Sequence, residues 1–61
     1  MNWHPIVRGL YSDMDIFRTS IYRGVANTPV RLRYQKGLWT LYVKGGVKAR
    51  RKARRIVGVF A

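Results

Sequence analysis

Apolar and polar positions alternate most regularly between Val30 and Lys44, in VRLRYQKGLWTLYVK. If Lys36-Gly37 closes a two-residue turn, Val30 opposes Val43, Leu32 opposes Leu41 and Tyr34 opposes Trp39. The other face then carries Arg31 opposite Tyr42 and Arg33 opposite Thr40, with Lys44 beyond. Directly opposed residues of an antiparallel pair share a face, and a one-residue slip would exchange the faces. This register predicts a β-hairpin over 30–44 with one apolar face and one basic, partly aromatic face.

The pattern is weaker on either side. Residues 1–11 include Trp3, Ile6, Val7, Leu10 and Tyr11 without a period, and Pro5 and Gly9 argue for an apolar extended arm. A short helix is predicted over about 13–23, with Ser12 as its N-cap and Asp13 and Asp15 at the positive end of its dipole. Gly24 would supply the left-handed terminating residue. Met14, Phe17 and Ile21 would form its buried stripe, with Ile16 on the opposite side. Residues 26–29 read as a connection, because Pro29 disfavours helical angles before it. Gly45-Gly46 ends the hairpin.

The tandem Lys48-Ala49-Arg50-Arg51 and Lys52-Ala53-Arg54-Arg55 has two readings. As a helix it would set Ala49, Ala53 and Val57 in a thin apolar seam. As a loop it would lead IVGVFA into a third strand against the hairpin. The second is favoured, because a lone hairpin is marginal in water. The expected fold is therefore α+β and β-rich. A short N-terminal helix would accompany a two- to three-stranded antiparallel sheet built on hairpin 30–44. Residues 1–11 form the arm, and residues 12–61 one small basic domain that binds nucleic acid.

Composition sharpens the functional reading. Thirteen Lys and Arg face two Asp and Glu, for a net charge of +11 on 61 residues. Such an excess attracts polyanions, whether nucleic acid, an acidic membrane surface or an acidic protein. There is no cysteine, which removes disulfides and thiolate metal sites as supports for so small a core. No apolar run is long enough to span a bilayer. The first residues also lack the apolar core of a secretory signal. The expected location is intracellular (cytoplasm or nucleoid), or inside a viral or ribonucleoprotein particle.

Catalysis is not expected. His4, Asp13 and Asp15 are the only conventional acid–base groups, and the two aspartates diverge on a helix. They form no usual metal site, and there is no phosphate-binding glycine loop. No cofactor is expected. Nucleic-acid binding is expected through Lys44, Lys48, Arg50, Arg51, Lys52, Arg54 and Arg55, with Arg31 and Arg33 assisting from the hairpin and Tyr42 offering a ring for stacking. Arginine suits forked contacts to phosphate oxygens, which position a protein without reading bases. The partner would be DNA or RNA. A protein assembly or a homo-oligomer formed through the apolar termini could join it. The alternative is a small viral or particle component, or an inhibitor, that grips an acidic protein surface.

Tyr22-Arg23-Gly24-Val25, then Trp39 with Val43, then Gly58-x-Phe60, resemble the strand landmarks of ethylene-response-factor and integrase-type DNA-binding domains. That resemblance implies a three-stranded sheet laid in the major groove, basic and aromatic strand residues on DNA, and a strand at Tyr22–Val25. In layout, a cationic stretch beside apolar termini also resembles small genome-binding proteins of viral particles and ribosomal proteins.

Overall fold

The computed structural model describes residues 3–60. Along the chain lie β1 (Trp3–Gly9), α1 (Tyr11–Gly24), β2 (Val30–Gln35), β3 (Leu38–Lys44) and α2 (Val47–Val59). The three strands form one antiparallel sheet in the order β1-β3-β2. β1 and β2 therefore run parallel to each other on either side of β3. Both helices cover one face, and the other face is open.

The hairpin has the expected register: Val30 pairs with Val43, Leu32 with Leu41 and Tyr34 with Trp39. Its turn places Lys36 at φ 52° and Gly37 at φ 85°. Positive φ at both central residues is what a tight hairpin turn requires to match strand twist.

The rest of the expected fold is corrected. The protein is not β-rich, since helices of 14 and 13 residues outweigh strands of 7, 6 and 7. The third strand comes from the N-terminus, and Ile56 to Val59 lie in α2 and not in the sheet. Pro5 is tolerated in β1 because this is an edge strand, and the register shifts between Pro5 and Val7. Edges and bulges are where a residue without an N–H donor fits a sheet.

Residues 47–59 are helical because Ala, Lys and Arg are strong helix formers and their apolar seam meets the core. Ala53 is fully buried, with Ala49, Ile56 and Val57 packed around the same cluster. The local β preference of the C-terminal residues is overridden by that packing, and Phe60 rests on Phe17 with centroids 5.6 Å apart.

α1 is longer than predicted. It starts from Leu10, so Ser12 lies inside the helix and no side chain caps it. Gly24 is helical, and the left-handed residue is Asn27 at φ 57°. Gly24 serves closeness instead: a Cβ there would lie 2.7 Å from Ile56 Cδ1, so α1 and α2 meet at this point. Met14 and Ile21 are fully buried and Ile16 is exposed, as the stripe required. A helix through Tyr22–Gly24 and another through Gly58 remove the strand landmarks on which the DNA-binding-domain resemblance stood.

The core is small: Met14, Ile21, Val25, Leu41, Val43 and Ala53 are its buried apolar residues. No helix among the described residues is long and apolar enough to cross a membrane.

Candidate nucleic-acid interface

The expected contact residues do not form one patch. They divide between the two layers of a molecule whose Cα extents are 29 × 27 × 15 Å.

The first group lies on α2. At 100° per residue, Lys48, Arg51, Lys52, Arg54 and Arg55 spread over roughly half of the helix circumference, and all five are exposed. The buried seam of Ala49, Ala53 and Ile56 fixes which half faces outward. Arg50 flanks the seam and is half-buried, with its Nε shielded from solvent and without an acceptor among the described residues. No acid stands in the first turn of α2. Among the described residues the one ion pair is Arg18 with Asp15 on α1. Its hydrogen bonds, first to Asp15 and then to Tyr11, raise the Arg18 pKa above its ordinary value. Among the described residues, no α2 cation is paired with an acid.

The second group lies on the open sheet face. Arg31 pairs with Tyr42 and Arg33 with Thr40, while β1 adds Pro5 opposite Tyr42 and Arg8 opposite Thr40. Thr40 therefore sits mid-sheet between Arg33 and Arg8, and Tyr42 between Arg31 and Pro5. Thr40, flanked by the stems of Arg8 and Arg33, is only 4% exposed. The Arg31 guanidinium lies 4.9 Å from the centre of the Trp3 ring, a cation–π contact that holds the group without neutralising it. The twisted face forms a concavity of about 700 Å³ whose lining includes Arg8, Gln35, Lys36, Thr40 and Tyr42.

Lys44 lies at the end of the open face, opposite Trp3 across β1–β3, and borders a second feature. With His4 and Arg50 it lines a groove of about 610 Å³ at the end of β3. His4 opposes Val43 across β1–β3. Desolvation, followed by the charges of Arg50 and Arg54, lowers its pKa below the ordinary 6.5.

Trp3 and Arg8 were missed as site residues because they join this face only once β1 pairs with β3, whereas Gln35 and Lys36 stand at the turn end of the hairpin itself. The signal was faint: Trp3 and Pro5 alternate, but the irregularity before Val7 breaks the period that would have reached Arg8. Tyr34 and Trp39, expected on the core side, meet in a tilted pair at the far end of the sheet, and Tyr11 packs edge-on against Trp39. Trp39 packs against the core, while the Tyr34 ring is largely exposed. No family model, curated protein or solved structure matches the chain, so a functional reading rests on this geometry alone.

Proposed function

We propose that the protein is a non-catalytic nucleic-acid-binding protein that holds phosphates along the outer face of α2. The observation that carries this reading is the α2 arc of Lys48, Arg51, Lys52, Arg54 and Arg55, exposed on a helix that carries no acid of its own. Adjacent turns of α2 bring like charges within side-chain reach, which destabilises a helix in isolation. A polyanion alongside turns that repulsion into attraction. A helix of this length is about 20 Å long, and DNA carries a charge every ~1.7 Å of axis, so one duplex face supplies several phosphates to it. The basic hairpin face is the second element of the reading.

The test is a salt titration with duplex DNA. Neutralising about five phosphates predicts that log affinity falls against log salt with a slope near −4.5. Reversing Lys48, Arg51, Lys52 and Arg55 to Glu abolishes duplex binding while the circular dichroism of the folded chain is retained. Salt-independent binding, or binding that survives this reversal, contradicts the reading. A stoichiometric, nuclease-resistant complex with an acidic protein in place of DNA or RNA would replace it.

A further inference from the structure

We infer that the open sheet face is a separate site for an unpaired strand, stacking its bases on Tyr42 and Trp3 while Arg8, Arg31, Arg33 and Lys36 take its phosphates. This rests on the reading of the protein as a nucleic-acid binder and adds to it the kind of strand that the second surface accepts.

Three features favour unpaired nucleotides over a second duplex. The aromatic rings stand within the cationic field: Tyr42 is central on the central strand, with Arg31 directly opposite and Arg33 diagonal to it. A duplex contacted through its backbone makes no use of such rings, whereas an unpaired base offers its π-face to them, whatever its identity. Next, the Trp3 ring is pre-positioned, because the Arg31 guanidinium rests on it at 4.9 Å. That arginine's charge is unspent, since neither Asp13 nor Asp15 lies on this face. Finally, the surface is concave, about 700 Å³, with Pro5, Arg8, Gln35 and Lys36 standing around Thr40 and Tyr42. The Gln35 amide offers both a donor and an acceptor at the rim.

The face is also independent of α2. The helices lie on the opposite layer, so a duplex seated along the outer face of α2 does not cover Tyr42. The two surfaces can therefore be disabled separately.

The experiment compares oligothymidine of about twelve nucleotides with a blunt duplex of equal length, using the full chain and its intrinsic tryptophan fluorescence. Oligothymidine quenches the emission of the unaltered protein; Trp3→Phe removes the quench and Trp39→Phe retains it. Reversing Lys48, Arg51, Lys52 and Arg55 to Glu removes duplex binding but leaves oligothymidine bound with the Trp3 quench. Tyr42→Leu, which keeps a strand-compatible apolar side chain, weakens oligothymidine at least about 5-fold and leaves duplex affinity within about 2-fold.

Oligothymidine binding without a Trp3-dependent quench overturns the inference, as does a Tyr42→Leu variant that weakens both ligands alike. Duplex binding with oligothymidine ignored overturns it too and leaves α2 as the whole interface. If neither ligand binds, the parent reading fails and takes this one with it.

Discussion

Lys48→Glu should make the protein more stable and a poorer binder at once. Lys48 sits in the first turn of α2, where the helix dipole disfavours a cation, and it is exposed. Arg51 and Lys52 lie three and four residues on, on the same outward arc. Each like-charge pair costs about 0.2–0.5 kcal/mol, and an opposite-charge pair gains a similar amount. Converting both contributes roughly 1–2 kcal/mol, and Glu to Lys52 at four residues is the favoured direction. Replacing a base by an acid at the positive end of the dipole adds about 0.5–1 kcal/mol. The whole is roughly 2 kcal/mol, or about 8–16 °C in melting temperature for a domain of this size.

Thermal unfolding followed by far-ultraviolet circular dichroism at low ionic strength reads this directly. The gain should shrink as salt rises, because the screening length falls from about 10 Å at 0.1 M to about 3 Å at 1 M. Duplex affinity should fall in the same variant, with the salt slope shallower by about 0.9. A melting temperature that is unchanged or lower at low salt would refute the claim that α2 carries uncompensated repulsion. So would a gain that salt does not diminish, since it would then come from packing or helix propensity.

Two further outcomes follow from the same packing. His4 is held neutral more firmly in the folded state than in the unfolded chain, whose ordinary value is 6.5. The unfolded state thus binds more protons between the two values, and the stability that His4 contributes is present above about pH 6.5 and lost as pH falls through the folded value. Urea midpoints measured across that range should decline on acidification, and His4→Gln should flatten the decline; an unaltered profile would assign it elsewhere. Gly24→Ala should be nearly neutral alone, because the ~0.5–1 kcal/mol helix gain is offset by the approach to Ile56 Cδ1. In an Ile56→Val background, which lacks that carbon, Gly24→Ala should stabilise. A double-mutant cycle in urea should show coupling of at least about 0.5 kcal/mol, and strict additivity would mean that the helices are not in contact there.

The hairpin was legible because its evidence is local. Alternation, a turn dipeptide and opposed apolar pairs all lie within 15 residues, and each agrees with the others. The two ends were misread for one shared reason. An edge strand that contains Pro5 and an irregularity before Val7 shows no clean period, and a thirteen-residue helix rich in cations shows only a thin apolar seam. Each is decided by the other's absence from a place in the sheet. β3 has two sides, β2 fills one, and β1 fills the second. The C-terminal segment is then left to cover the face, where Ala53 and Ile56 reach the core as a helix and could not reach it as an added strand. Ser12 and Gly24 illustrate the same limit at residue scale, since each is a good terminator placed inside a helix that tertiary packing extends past it.

That exchange of ends also changes what the charges can do. With a C-terminal strand, the tandem basic repeat would have been a loop at the sheet's edge, continuous with Arg31 and Arg33, and the protein would have had one cationic front. With α2 on the far layer, the repeat faces away from the sheet, and the open face keeps a smaller group of cations ringed around Tyr42 and joined by Trp3 and Arg8 from β1. A single front would bind one strand of any kind in proportion to its charge. Two fronts of different composition, one aliphatic-backed and purely basic, the other basic and aromatic, separate attraction to phosphate from affinity for exposed bases. The decisive property is then the ratio of single-strand to duplex binding in α2 and sheet variants. Were both ligands lost in parallel from either set, the two layers would be acting as one electrostatic body, and the division described by the fold would have no functional consequence.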